Sequence, residues 1–384
     1  MSVPRDPVAD LRRIAFLLER AGEATYRVRA FRSAAAVVAT MSAEELAARA
    51  AAGTLTAVKG LGEVTARCVA ESLRGEEPVY LRRLEATEGT DIGEAAAAIR
   101  KALRGDCHCH SDWSDGGSPI EDMVSTAIAL GHRYLVLTDH SPRLTVARGL
   151  SAERLREQIE VVAAINAALD ETGTEFRLLT GIEVDILADG SLDQTDELLA
   201  QLDVVVGSVH SGLRDDPDTM TRRMLRAVAN PHLDILGHCT GRKLVTATPG
   251  SDRAHARDNR AGKGRPESTF DAAAVFAACR DHGKAVEINS RPDRLDPPKR
   301  LLRLAYEMGC LFAIDSDAHA PGQLDWLGNG CARAAQCGVE AERIVNTWPL
   351  EELLAWTASH RAGRPGQPAR PGHPATPGQS PSQG

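Results

Sequence analysis

The chain reads as an α/β protein: a parallel barrel of seven βα units preceded by a small all-α unit. Three observations predict this. Seven short apolar runs follow one another from residue 104 onward, and most are separated by helix-patterned stretches. Residues 8 to 100 carry a helical pattern throughout. Every strand candidate but one ends in a histidine or a carboxylate. The length of 384 residues suits such a barrel with an appendage.

In the helical part, Val8, Leu11, Ile14, Leu17 and Leu18 form one stripe closed by Gly22. Ser42 and Glu45 read as a capping box, and that helix stops at Gly53. In "LTAVKGLGEVTARCVAESLRG", Gly60 and Gly62 stand just before a helix starting near Glu63. This predicts a helix-hairpin-helix element over 54–75. Glycines let backbone approach a phosphate, and free N–H groups at the helix start attract the anion. Such an element grips a nucleic-acid backbone without reading its sequence, with Lys59, Gly60, Gly62 and Arg67 as the contact candidates.

The seven strand candidates span 106–110, 134–140, 176–186, 203–210, 234–238, 284–290 and 311–319. Strand alternation in "DCHCH" puts Asp106, His108 and His110 on one face and Cys107 and Cys109 on the other. The cysteines are one residue apart, against the two to four of a zinc knuckle, so they read as buried small hydrophobes. Residues 249–268 read as an exposed loop and 361–384 as a disordered tail.

The net charge of −8 divides unevenly: residues 1 to 105 carry +2 and the remainder −10. An acidic body suits a metal site, and the slightly basic head could touch phosphates. Eight cysteines show no disulfide framework, the N-terminus lacks an apolar run, and no 18-residue apolar stretch occurs. A soluble, reducing, cytoplasmic protein without membrane contact is the expectation.

His108, His110, Asp115, His140, Glu183, His210, His238, Asp317 and His319 all fall at strand ends, which meet at one mouth in a parallel barrel. Nine nitrogen and oxygen donors exceed the needs of one ion and predict two or three. Clustered divalent ions stabilise both oxygens of a phosphoryl displacement and lower the pKa of a coordinated water, so hydrolysis of a phosphate ester is the implied chemistry. Imidazole and carboxylate donors admit Zn, Mn and Fe.

"DCHCHSDWSDG", "LTDHS", "GIEVDI", "GSVH", "ILGHCTGR", "EINSRPDRLD" and "DSDAH" resemble the successive motifs of the PHP (polymerase and histidinol phosphatase) family over 104–358. The likeness is strongest to the copy fused to bacterial X-family DNA polymerases. The resemblance implies a distorted seven-stranded TIM-like barrel with three divalent ions. One ion would take His108, His110, Glu183 and Asp317, a second Glu183, His210 and His238, and a third Asp115, His140 and His319. Arg242, Lys243 and Arg294 would clamp phosphate, so that His108, His110, Glu183, Asp317, Arg242 and Arg294 form the catalytic set. Asp106 and Asp139 would orient imidazoles. Cys107 and Cys239 replace a more usual Leu and Pro, with no expected effect on ligation.

Residues 8 to 95 resemble the N-terminal helical domain of the same polymerases, through "YRVRAFRSAA" and the glycine hairpin. The polymerase palm with its paired aspartates is missing, so templated synthesis should be absent. Cys68 stands where related polymerases carry a Schiff-base lysine, which counts against a sugar-phosphate lyase. The expected organisation is a helical domain over 1–100 and a phosphoesterase domain over 104–358. The expected activity is 3′ to 5′ exonuclease or 3′ phosphatase action on DNA ends in repair. A small-molecule phosphatase resembling histidinol phosphatase is the alternative, and a DNA-binding module with a decayed barrel is disfavoured by nine intact donors.

Overall fold

The computed structural model describes residues 5–88, 92–245 and 264–361. Six helices come first: α1 (Pro7–Arg20), α2 (Thr25–Ala39), α3 (Ala43–Ala51), α4 (Glu63–Leu73), α5 (Val79–Glu88) and α6 (Glu94–Ala102). The predicted stripe becomes the head's core, where Leu11, Ile14, Leu17 and Leu18 pack with Phe31, Val38, Leu61 and Val69. The Ser42 hydroxyl accepts from Glu45 N at 3.1 Å. Only that half of the capping box is seen, because the Glu45 carboxylate turns to Arg49 instead, at 2.9 Å. Gly60 has φ +100°, and Thr65 Oγ1 accepts from Gly62 N at 3.0 Å, which caps the start of α4. Ala96 and Ile99 of α6 pack in the barrel's largest apolar cluster rather than in the head's.

The seven strands are β1 (Gly105–Cys109), β2 (Tyr134–Leu137), β3 (Arg177–Asp185), β4 (Val204–Ser208), β5 (Ile235–Leu236), β6 (Ala285–Asn289) and β7 (Leu311–Asp315). They pair in parallel in sequence order. β7 runs on beside β1, where His110 N donates to Ala318 O at 2.8 Å and Asp317 N to His108 O at 3.0 Å, so the sheet is a nearly closed barrel. Cys107, Tyr134, Val136, Leu179, Val204, Val206, Ile235, Ala285 and Ala313 fill its interior. Helices α7 (Ile120–Ala129), α8 (Ala152–Glu171), α9 (Asp196–Leu199), α10 (Pro217–Val228), α11 (Ala272–His282), α12 (Lys299–Glu307), α13 (Leu327–Gln336) and α14 (Leu350–Arg361) follow the strands. Among the described residues no helix is long and apolar enough to cross a membrane.

Three local expectations are corrected. A register shift between Asp106 and Cys109 breaks the alternation of β1. Cys107 therefore joins the barrel interior, while Cys109 packs with Ile120, Met123 and Leu137 under α7. Of the predicted loop 249–268, residues 249–263 lie outside the described residues; at its end Gly264 and Pro266 are exposed as expected, but Ser268 is buried. Arg265 pairs its backbone with Lys243, and buried Ser268 donates to Leu213 O at 2.9 Å. Of the predicted tail, 362–384 lies outside the described residues, whereas Arg361 is helical and reaches Asp234 at 3.4 Å.

His132 follows the turn that ends α7, is 3% exposed, and has no hydrogen-bond partner for either ring nitrogen among the described residues. Burial, and then nearby Arg100, push its pKa down from 6.5 to about 3. Below pH 6.5 the unfolded chain takes up a proton that the fold excludes, so this contribution is complete above that pH and is lost on acidification. At roughly 1.4 kcal/mol per pH unit, about 2 kcal/mol is gone by about pH 5. His132→Leu is expected to lose correspondingly less stability than the parent between pH 7 and 5 in urea titrations.

Candidate metal centre

The barrel mouth gathers all nine predicted donors, although most lie beyond their strands. Glu183 is inside β3 and His108 inside β1, whereas His140, His210, His238, Asp317 and His319 follow the ends of β2, β4, β5 and β7. Buried Glu183 is the hub. Its Oε1 lies 2.9 Å from His238 Nε2 and 3.3 Å from His210 Nε2. Its Oε2 lies 2.9 Å from His140 Nδ1, 3.4 Å from His108 Nε2 and 3.6 Å from His110 Nε2. His110 Nε2 is also 3.5 Å from Asp317 Oδ1. At the outer edge, Asp115 Oδ1 is 3.5 Å from His140 Nε2 and 3.3 Å from His319 Nε2.

Donor atoms within 4.8 Å of one another form three groups: His110, Asp115, His140 and His319; His108, His110 and Glu183; and His140, Glu183 and His210. This partition differs from the one the resemblance implied, since His110 joins the outer group, His140 bridges inward, and Asp317 and His238 belong to none of the three.

The donors fit divalent ions on a specific count. His108 Nε2, His110 Nδ1 and Nε2, His140 Nδ1, His210 Nε2, His238 Nε2 and Glu183 Oε1 are buried without a hydrogen-bond partner among the described residues. Buried polar atoms are normally satisfied, and so many converging lone pairs match a cation. Burial works against the Glu183 carboxylate, yet His140, His108 and His210 hold it ionised, well below the usual range. Burial, then His319 and His140, keep His110 neutral, the form that ligates. Asp317 takes a left-handed backbone, φ 53°, uncommon outside glycine. Burial opposes its ionisation, but Arg291 and Arg294 hold its pKa well below the usual range.

The groups that orient the imidazoles are not the predicted ones. Asp106 accepts from the Ser316 hydroxyl and the His108 backbone, and Asp139 from Ser111, Ser114 and Gln158. Both carboxylates tie loops, and no imidazole is among these partners. Instead Glu287 takes His108 Nδ1 at 2.6 Å and Asp185 takes His210 Nδ1 at 2.6 Å. Asn289 donates to Asp317 Oδ2 at 3.1 Å. A signal existed: Glu287 and Asn289 continue the inward alternation from Ala285, and Asp185 stands two residues after Glu183.

Arg242 does not fit a phosphate clamp, because its guanidinium is engaged with the carbonyls of Arg294 and Leu295 and lies 3.5 Å from Glu267. Arg294 Nε lies 2.9 Å from Asp317 Oδ2, and its Nη1 has no partner among the described residues. Arg291, unremarked in the sequence, is 3.4 Å from Asp317 Oδ1 and 3.3 Å from His319 Nδ1. Burial, then Arg294 and Arg291, lower the pKa of Lys243, which marks a concentration of positive charge beside the donors.

Residues 106–291, which hold β1 to β6 of the barrel, match the PHP domain model and form a PHP domain. The chain is 35% identical over 254 residues to a Bacillus subtilis protein named DNA polymerase/3'-5' exonuclease PolX, covering 66% of this chain and 41% of that one. The chain thus spans less than half of that relative's length. The helical head is consistent with a polymerase-X-like domain. A Thermoanaerobacter protein named "Probable phosphatase" is 26% identical over 257 residues, 63% of this chain and 89% of its own. The solved histidinol phosphate phosphatase of Lactococcus lactis aligns with TM-score 0.39 at 19% identity, over 62% of this chain and 95% of that chain.

Proposed function

We propose that this protein hydrolyses phosphate esters at DNA 3′ ends, as a 3′ to 5′ exonuclease or 3′ phosphatase serving repair, without templated synthesis. One observation carries the reading: a head bearing the Gly60–Gly62 hairpin at the start of α4 packs directly on the mouth loops of a PHP barrel. The name of the Bacillus relative supports it.

His108, His110, Asp115, His140, Glu183, His210, His238, Asp317 and His319 would hold three ions, Zn, Mn or Fe in kind. Bound there, such ions supply Lewis acidity and a water acidic enough to ionise near neutral pH. Arg294, through its unpartnered Nη1, and Lys243 bind the ester's phosphate oxygens, and Arg291 steadies Asp317 and His319 at the rim. Glu287 and Asp185 fix which nitrogens of His108 and His210 face inward.

Purified protein supplied with Mn²⁺ is expected to shorten 5′-labelled DNA from its 3′ end, and His110→Ala to abolish this. Metallated enzyme that cleaves histidinol phosphate but leaves every DNA end untouched would favour the small-molecule alternative. Exposed Lys59 and Arg67 flank the hairpin. The double substitution Lys59→Glu, Arg67→Glu is expected to weaken DNA cleavage about tenfold at low salt, since each lost phosphate contact costs a few-fold. Hydrolysis of para-nitrophenyl phosphate should be unchanged, and an equal loss on both substrates would remove the hairpin from DNA binding.

A further inference from the structure

We propose that Glu19 and Arg32, in the helical head, are positioning residues for the outer donor group of His110, Asp115, His140 and His319. The inference rests on the reading that these four hold an ion. Asp115 and His319 sit far out on their loops, six residues past β1 and four past β7, whereas Glu183 and His108 are fixed within strands. Side chains on loops need outside support to hold ligand geometry, and the head provides it at two points.

The first point is Gly322, three residues after His319. Its N–H donates to Glu19 Oε2 at 2.9 Å. It is held close to α1, since a Cβ there would lie 2.3 Å from Phe16 O. Gln323, its neighbour, accepts from His319 N at 2.7 Å. Trp326 Nε1 donates to Arg20 O at 2.8 Å and Asp325 meets Arg20 at 3.2 Å, extending the same seam. The second point is Ser118, three residues after Asp115. Its hydroxyl takes a hydrogen bond from Arg32 Nη1, and its carbonyl accepts from Asp112 N at 2.9 Å, closing the turn that carries Asp115. The two loops are tied together where Gly117 N donates to His319 O at 2.7 Å.

Glu19 and Arg32 join the two points. Arg32 Nη2 lies 2.7 Å from Glu19 Oε1 and 2.9 Å from Oε2, and Glu19 is 7% exposed. Glu19 is buried and Arg32 only partly so, and losing Arg32 takes the cation from a buried carboxylate that keeps just the Gly322 N–H, which is destabilising. One clasp therefore sets the distance between the loop of Asp115 and the loop of His319.

The test measures ions rather than turnover. Parent, Arg32→Ala, Glu19→Gln, Arg32→Lys and Asp115→Ala chains are titrated with Mn²⁺, and bound ions per chain are counted by mass spectrometry after dialysis. Arg32→Ala and Glu19→Gln are expected to bind one class of ion about 10–100-fold more weakly, the usual cost of losing a group that supports a ligand. The ions around Glu183 should stay. Asp115→Ala should lose the same class, Arg32→Ala added to it should lose nothing more, and Arg32→Lys should recover part of the affinity. Parental affinity and content in both Arg32→Ala and Glu19→Gln would overturn the proposal. So would loss of all ions together with the far-UV circular dichroism of the barrel, the sign of a merely structural role. If Asp115→Ala itself leaves the ion count unchanged, it is the four-residue reading that fails.

Discussion

Glu183→Gln is expected to lower phosphate-ester hydrolysis by at least about a thousandfold, while the barrel stays folded. The side chain keeps its volume, so β3 and its pairing with β4 from Gly181 to Asp185 are undisturbed. What changes is the donor set. Both carboxylate oxygens are used, Oε1 toward His210 and His238 and Oε2 toward His108, His110 and His140. An amide offers one oxygen, turns an N–H₂ donor toward imidazole nitrogens that need a cation, and removes the negative charge at the centre of the cluster. Lewis-acid stabilisation of a phosphoryl transition state is worth several kcal/mol, and each 1.36 kcal/mol is a factor of ten, so a loss of about 10³ corresponds to about 4 kcal/mol. Steady-state kinetics with para-nitrophenyl phosphate, paired with metal analysis, check this. A variant holding the parent's metal content and more than a tenth of its rate would remove Glu183 from the hub.

The residues around that hub were unequally legible in the sequence. Strand-end donors stand out because a period of two and a short apolar run locate the inward face, so Glu183 in "GIEVDI" and His210 in "GSVH" announce themselves. The order of seven parallel strands followed from the same runs, and the structure has it. Glu287 and Asn289 are hidden because the apolar run 284–290 closes on Ser290 rather than on a histidine or carboxylate, though both point at the donors from within β6. Arg242 misleads for a different reason. Nothing in "TGRK" shows that the chain at 294–295 returns to offer it two carbonyls. Position alone points Asp106 and Asp139 at imidazoles, but nearby serines take their oxygens. The alternation in β1 failed at a bulge, which no pattern of polarity discloses. The head–barrel clasp was equally hidden, since Glu19 and Arg32 look like ordinary surface charges on helices until Gly322 and Ser118 are beside them.

The closure of the barrel depends on a residue with no pattern at all, and its replacement has the largest expected effect on stability. β1 and β7 meet near the mouth, through the pairing of Cys109 with Ala318. At the opposite end of the seam, fully buried Asn346 takes over the work of a ladder. Its Nδ2 donates to Gly105 O at 3.0 Å and to Ile314 O at 2.6 Å, and its Oδ1 accepts from Ile314 N at 3.0 Å. Its own carbonyl accepts from Arg104 N at 2.8 Å. Asn346→Ala strands two carbonyls and one N–H in a dry interior, where each unsatisfied group costs about 1–3 kcal/mol. The expected loss is about 3–5 kcal/mol, below the sum of the upper values because backbone groups can relax toward one another. Asn346→Asp should be worse than Asn346→Ala: it keeps the acceptor, loses both donors, and brings a charge to a buried site. Urea unfolding followed by tryptophan fluorescence reads this directly, since Trp348 lies two residues on and packs against Trp356 at 6.0 Å between ring centroids. A shift smaller than about 1 kcal/mol in Asn346→Ala would mean that the seam is held by β1 and β7 themselves.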